Sequence, residues 1–330
     1  MNKKHEKSPC CREKIWRLGG RRRQCARCKK TWRVWKRKRG RNRLRISADI
    51  ARRFVFHRLL PTRAKLSGYS AGRNKRQYRL AQSRRHCFSA CPWKPAPLTG
   101  NLIVIADALV KFVEKKWHTW YFTLVRPIDS TWAVVLPPYH RPGTETVMGW
   151  RKAFDAVKPG VLSRIEAIVC DGHRGLVGES IWRKWKLQRC HFHLIARVQG
   201  RRSKWKSSRH YEEGWRVYNL IKQILEEPDE EKLSPFINEL EEIGWTSDSP
   251  EIRRTLSGFT NHFQEYRTYL KYPELKLPAT SNAAESFIGL VEEVCRRARG
   301  FKNLQVLNEW IICVSKTRAT IKCNGKNQPN

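Results

Sequence analysis

The stretch Leu102-Ile103-Val104-Ile105-Ala106-Asp107 is a continuous apolar run that ends on a carboxylate. A second run, Ile165-Glu166-Ala167-Ile168-Val169-Cys170, closes the same way on Asp171-Gly172. Short apolar runs bounded by turn signals read as buried strands. Between them, residues 117–125 and 131–136 are two more β runs, parted by a turn at Pro127-Ile128-Asp129. Residues 144–157 carry helical periodicity, residues 177–186 read as a helix, and residues 187–190 as a short strand. The order β-β-β-α-β-α-β predicts an α/β fold, a mixed sheet flanked by helices.

Outward from this centre the character changes on both sides. From about His193 to Tyr272 the strand signal disappears, and the region reads as an inserted all-α subdomain. Its Trp205, Trp215 and Trp245 are expected in a core rather than on a base-stacking surface. Helical stretches return at 283–299 and 304–315, before a polar tail from Asn324. On the N-terminal side, Pro92, Pro95 and Pro97 mark a boundary. The resulting division is 1–38, 39–92, 93–192, 193–277 and 278–330, the third and fifth segments forming one body around the insertion.

The charge is concentrated at one end. The 330 residues carry 68 Lys and Arg against 29 Asp and Glu, a formal net charge of +39. Residues 1–100 hold 32 of the basic residues and only three acids, Glu6, Glu13 and Asp49. Such an excess excludes a generic metabolic enzyme as the first reading and calls for a polyanion, double-stranded DNA before an anionic membrane. No apolar run approaches the roughly 20 residues that span a bilayer. A charged start at residues 1–8 lacks the apolar segment of a secretion signal, so a cytoplasmic, nucleoid-associated location is expected. The eleven cysteines then read as metal ligands or core residues rather than disulfides.

Residues 9–36 read as a small ribbon turning at Gly19-Gly20. Cys25 and Cys28 form a C-x-x-C pair, with Cys10 and Cys11 upstream and Trp16, Trp32 and Trp35 available to cover the module. Four such thiolates suit a tetrahedral structural Zn²⁺. Adjacent cysteines seldom both face one metal, so His5, Cys10 and Cys11 compete for two ligand places, and a metal-free basic hairpin is the alternative. Beyond a basic run at 37–46, Ser47 caps a helix through Leu60, and a short second helix runs from Thr62 to Leu66. After Gly68 a third helix carries Arg73, Lys75, Arg76, Arg79 and Arg84. Helix, turn, basic helix is the order of a helix-turn-helix, whose last helix would enter a major groove.

Three acids stand out by position: Asp107 at the end of the first strand, Asp171 at the end of the fourth, and Glu285 on the helix after the insertion, the kind of set that phosphodiester chemistry uses. Carboxylates are hard oxygen ligands that suit Mg²⁺ or Mn²⁺. Two such ions about 3.5–4 Å apart activate an attacking oxygen and stabilise the leaving one. Each acid also has an ordinary reading. Asp171-Gly172 is a common turn pair, Asn282-Ala283-Ala284-Glu285 has the spacing of a capping box, and Asp107 could be a buried, paired acid. Asp129 is the nearest rival to Asp107, but it sits in a turn. No phosphate-cradling glycine loop is present.

Taken together, Asp107-Ala108, Cys170-Asp171-Gly172-His173-Arg174-Gly175, Cys190-His191-Phe192-His193 and Thr280-Ser281-Asn282-Ala283-Ala284-Glu285-Ser286 resemble the mutator-like DDE transposases of bacterial insertion sequences. The resemblance spans roughly residues 100–315. It implies a ribonuclease H-like core with a helical insertion, and Asp107, Asp171 and Glu285 as ligands of two catalytic Mg²⁺ or Mn²⁺ ions. It also implies a supporting role for Cys190, His193 and Asn282. Arg174, beside Asp171, and Arg297, on the helix of Glu285, are the residues expected to meet a phosphate backbone, with an exposed loop and ordinary solvated charge as the respective alternatives. The N-terminal ribbon and helix-turn-helix look like the end-recognition region of such enzymes. Their ribbons begin C-P-x-C, whereas Ser8-Pro9-Cys10-Cys11 stands here. The expected activity is cleavage and joining of DNA at terminal inverted repeats by a homodimer or higher oligomer. A non-catalytic DNA-binding regulator and a ribonuclease H-like nuclease are the alternatives.

Overall fold

A computed structural model describes residues 7–19, 22–33, 81–82, 84–89, 93, 96–205, 210–297 and 301–323, the side chains of 33, 199–205 and 297 excepted. The chain divides into two compact units, Met1–Arg45 and Ile46–Asn330. The helix-turn-helix expectation, with Arg73, Lys75, Arg76 and Arg79, lies outside the described residues.

In the first unit, β1 (Ile15–Arg17), β2 (Arg22–Cys25) and β3 (Thr31–Arg33) form an antiparallel sheet in that order. The sequence shows two extended runs here, and the third strand completes the ribbon. Gly19 has φ +94°, the left-handed backbone that the β1–β2 turn requires. Trp16 does not cover the module as expected. It is exposed, and the Lys29 ammonium lies 3.9 Å from its ring centroid.

The second unit is built on a seven-stranded mixed sheet. Its strands are β4 (Leu102–Val113), β5 (Lys116–Pro127), β6 (Trp132–Val135), β7 (Tyr139–Pro142), β8 (Ile165–Cys170), β9 (Lys186–Arg189) and β10 (Thr320–Lys322). The order is β10-β6-β5-β4-β8-β9, with β7 pairing a second stretch of β5. The pairs of β4 with β5, β5 with β6 and β6 with β10 are antiparallel, while β4, β8 and β9 run parallel.

Helices cover both faces. The flanking helices are α1 (Val147–Asp155), α2 (Pro159–Leu162) and α3 (Arg174–Arg183). The inserted region holds α4 (His191–Trp205), α5 (Tyr211–Glu226), α6 (Leu233–Thr246), α7 (Pro250–Thr260), α8 (Phe263–Tyr266) and α9 (Thr268–Lys271). The last two helices are α10 (Asn282–Arg297) and α11 (Leu304–Thr317). Ile103 and Ile105 of β4 pack with Phe287 and Val291 of α10 and Ile311 and Val314 of α11. Leu102, Val104 and Ala106 face the other way, into a cluster with Trp150 and Phe154 of α1 and Leu176 of α3. A strand buried on both faces is apolar at every position, which is why Leu102–Ala106 shows no alternation. Each fully buried aliphatic side chain there contributes roughly 1.5–3 kcal/mol.

Two boundaries differ from the sequence reading. β4 does not stop at Asp107 but continues to Val113 and turns back through Glu114-Lys115 into β5. The helix expected over 177–186 starts earlier and ends at Arg183. Lys184 adopts φ 58°, and Trp185 N–H bonds the Ser180 carbonyl at 2.8 Å, a left-handed C-terminal closure that releases the chain into β9. Residues 84–89 are helical and dock on α11. There Arg84, expected among the DNA-facing residues of the third basic helix, is instead buried and pairs with Glu309 at 2.8 Å, and the Lys316 ammonium donates to the Phe88 carbonyl at 2.6 Å. The inserted helices have their own core, centred on Ile221, Ile224, Leu240 and Phe259. Trp245 is not part of it, being 87% exposed.

Candidate active site

The register of two parallel strands sets the site. Ile105 is paired with Val169, so Asp107 and Asp171 each lie two residues beyond the last matched pair. Side chains alternate along a strand. Asp107 therefore shares the face of Ile103 and Ile105, which pack beneath α10. The first turn of α10 supplies Glu285. Its position is fixed from below: Phe122, the β5 partner of Asp107, meets Phe287 edge to face with ring centroids 5.2 Å apart.

Asp171 and Glu285 both act on Asp107. Burial pushes the Asp107 carboxyl up to about 7, and Asp171 and Glu285 push in the same direction. The Ala108 N–H, which donates to Asp107 Oδ1 at 2.7 Å, and His193 oppose the rise. Desolvation and like charge both favour the neutral acid, so this cluster stores repulsion that a bound cation would relieve. Asp171 Oδ1 accepts the His173 N–H at 2.8 Å across Gly172, whose φ is +88°. A Cβ at Gly172 would run into the Arg189 guanidinium, which is held in an ion pair with Glu265. Asp171-Gly172 is thus a turn, and it also presents its acid to the cluster.

The capping-box reading of Glu285 does not describe the bonding. In that motif the helix-entry N–H bonds the acid. Here the Ser281 N–H donates to Cys190 Sγ at 3.1 Å, and the Ser281 hydroxyl donates to Glu285 Oε1 at 2.8 Å. Glu285 Oε1 also lies 3.6 Å from Cys190 Sγ and 3.5 Å from His193 Nδ1. Cys190 follows β9, and its N–H bonds the Cys170 carbonyl at 2.7 Å, tying it to the end of β8. Asn282 is exposed at the first position of α10, next to Ser281, which makes the contacts to Cys190 and Glu285.

Other expected residues scatter. Arg174 is exposed at the start of α3, and Arg297 is the last residue of α10. Asp129 pairs with Lys276 at 2.7 Å and is 84% exposed, far from the burial of a metal-binding acid. One acid escaped sequence reasoning. Glu145 accepts the Trp150 indole N–H at 2.6 Å and lies 3.4 Å from His173 Nδ1. Burial, with a smaller push from Asp171, raises its carboxyl, so it stands near the cluster. No motif in Pro142-Gly143-Thr144-Glu145 announces this.

In the N-terminal unit, Cys10, Cys11, Cys25 and Cys28 bring their sulfurs within 4.8 Å of one another. Both adjacent cysteines face the cluster, contrary to the expectation that they compete. Ser8 is buried beside it, accepting the Cys25 thiol at 3.3 Å and the Glu13 N–H at 3.0 Å. The Ser8 hydroxyl and the Cys28 and Arg27 N–H groups hold the Cys25 thiol down at about 6. Four sulfurs so gathered are compatible with a zinc module.

Residues 111–317, well over half the chain, match the family described as "Transposase, Mutator family". The match contains Asp171, Cys190, His193 and Glu285 and begins four residues after Asp107. No curated protein matches the chain. Among the described residues, no helix is long and apolar enough to cross a membrane.

Proposed function

The chain belongs to the Mutator family of transposases, and from that premise we propose that it is a DDE-type enzyme that cuts and joins DNA at the ends of its element. Membership implies DNA as the partner and a transposition activity in general. The finer reading rests on one observation: Asp107 and Asp171 at matching register on adjacent parallel strands, with Glu285 arriving from α10 over the face of Asp107. The sheet supports a ribonuclease H-like core, since antiparallel β4, β5 and β6 are followed by parallel β8 and β9 beyond β4.

The donor set fits divalent cations. Three carboxylates offer hard oxygens, and their mutual repulsion favours Mg²⁺ or Mn²⁺. Two such ions would supply activation of the attacking oxygen and charge stabilisation of the leaving one. Asp107, Asp171 and Glu285 would hold them. The Ala108 and His173 N–H groups orient the first two carboxylates, and the Ser281 hydroxyl orients the third. Cys190 and His193 pack against Glu285 and fix its rotamer. Arg174 and Arg297 would bear on the phosphate backbone near the cut.

The N-terminal Cys10, Cys11, Cys25 and Cys28 would hold a structural Zn²⁺, and the ribbon and helix-turn-helix would bind the terminal inverted repeats. The two ends require a homodimer or higher oligomer, acting on the nucleoid. Cleavage and strand joining of DNA carrying the element's ends, in Mg²⁺, test this. Wild type should give joined products, and Asp171→Asn should bind the ends but leave them intact. Specific binding without cleavage by wild type in either cation would move the reading to a DNA-binding regulator. Cleavage without joining would move it to a nuclease.

A further inference from the structure

Cys190, His193 and Glu285 form a donor set of a different kind from the carboxylate cluster. Their ligand atoms all lie within 4.8 Å of one another. Glu285 Oε1 is 3.6 Å from Cys190 Sγ and 3.5 Å from His193 Nδ1. In a tetrahedral zinc site, Zn–S of about 2.3 Å and Zn–N or Zn–O of about 2.0–2.1 Å place sulfur and oxygen about 3.5 Å apart, and nitrogen and oxygen about 3.3 Å apart. The two measured separations are close to those of ligands already arranged around such an ion.

Two further observations point the same way. His193 Nδ1 is buried without a hydrogen-bond partner, a state that native structures rarely leave unexplained. Burial raises the Cys190 thiol, and the Ser281 N–H aimed at its Sγ opposes that rise, so the sulfur already has a donor suited to a metal-bound thiolate. The local fold makes the set. Cys190 closes β9, His193 lies in the first turn of α4, and Ser281 carries the chain into α10, so three elements fix the donors.

We infer that Cys190, His193 and Glu285 bind one thiophilic divalent cation, Zn²⁺ in preference to Mg²⁺, with a fourth position open to a water or substrate oxygen. On binding, the Cys190 thiol gives its proton to solvent and the thiolate becomes a ligand. Sulfur and imidazole donors select zinc or cobalt over magnesium. Glu285 belongs to both donor sets, so zinc held here would withdraw it from the all-oxygen site. That consequence rests on the proposed cleavage reaction; the binding itself does not.

Cobalt(II) serves as the spectroscopic probe, because thiolate ligation gives it charge-transfer absorbance that oxygen ligation does not. Full-length protein carrying Cys25→Ser and Cys28→Ser removes the N-terminal cluster from the measurement. It should still take up one equivalent of Co²⁺ with a single-thiolate band, and Zn²⁺ should displace the ion while excess Mg²⁺ should not. Adding Cys190→Ser or His193→Ala should abolish the band, and adding Glu285→Gln should weaken binding at least tenfold. His193→Ala alters a partly exposed side chain and carries the test should Cys190→Ser misfold, with circular dichroism reporting the fold. No Co²⁺ uptake by the Cys25→Ser, Cys28→Ser protein, or uptake unchanged by both Cys190→Ser and His193→Ala, would overturn the assignment. Neither result bears on whether the chain cleaves DNA.

Discussion

Ser281 donates its backbone N–H to Cys190 Sγ at 3.1 Å and, from the same residue, its hydroxyl to Glu285 Oε1 at 2.8 Å. One fully buried serine thereby ties the end of β9 to the acid of α10. Ser281→Ala removes only the hydroxyl bond, whose acceptor is an acid that is mostly buried. Hydrogen bonds to charged groups contribute about 1.5–3 kcal/mol. Urea denaturation should show a loss at the low end of that range, and cleavage should fall with end binding kept. Ser281→Thr should restore most of both.

Gly172 is the hinge between Asp171 and α3. Its φ of +88° disfavours any residue with a Cβ, and that Cβ would strike the Arg189 guanidinium. Gly172→Ala should therefore cost more than the roughly 1–2 kcal/mol of left-handed strain alone. Asp171 would be displaced with the turn. The expected outcome is a lowered urea midpoint together with loss of cleavage. A variant with wild-type stability and activity would contradict the account of this turn.

His140 of β7 contacts His118 of β5 at 3.3 Å, and its ring stacks on Trp120. Burial, then the neighbouring His118, lowers the His140 pKa below the usual 6.5. The unfolded chain therefore takes up this proton first as pH falls. The contribution of neutral His140 to stability is complete above about pH 6.5 and is lost as pH drops through its folded value. Urea midpoints measured from pH 7.5 to pH 5 should fall more steeply for wild type than for His140→Gln. Parallel curves would contradict the assignment.

Sequence and structure part company at places with identifiable physical causes. Asp171 was legible because it closes a strand and opens a glycine turn, and both features survive in the fold. Asp107 was legible as an acid after an apolar run but not as a mid-strand residue. β4 continues because it stays paired with its antiparallel partner β5 as far as Val113 opposite Lys116, and the hairpin turn uses Glu114 and Lys115, both with positive φ. Such turns are ordinarily announced by Asn-Gly or Asp-Gly, and this one carries no such signal. β7 was hidden by Pro137, Pro138 and Pro142, which read as a loop but are tolerated on an edge strand. The role of Ser281 and the nearness of Glu145 to Asp171 depend on residues far apart in the chain, and no local pattern encodes them. The paired facing of Cys10 and Cys11 likewise needed the tight turn that follows Ser8.

We propose that Asp107, not its rival Asp129, acts with Asp171 and Glu285. Single-turnover cleavage of DNA carrying the element's end, in Mg²⁺, for Asp107→Asn beside Asp129→Asn addresses it most directly. Asp107 is largely buried and feels the charge of both other acids, whereas Asp129 forms an exposed pair with Lys276. Asp107→Asn should bind the end without cutting it, while Asp129→Asn should cut at the wild-type rate. Cleavage by Asp107→Asn at a rate near that of wild type would contradict it.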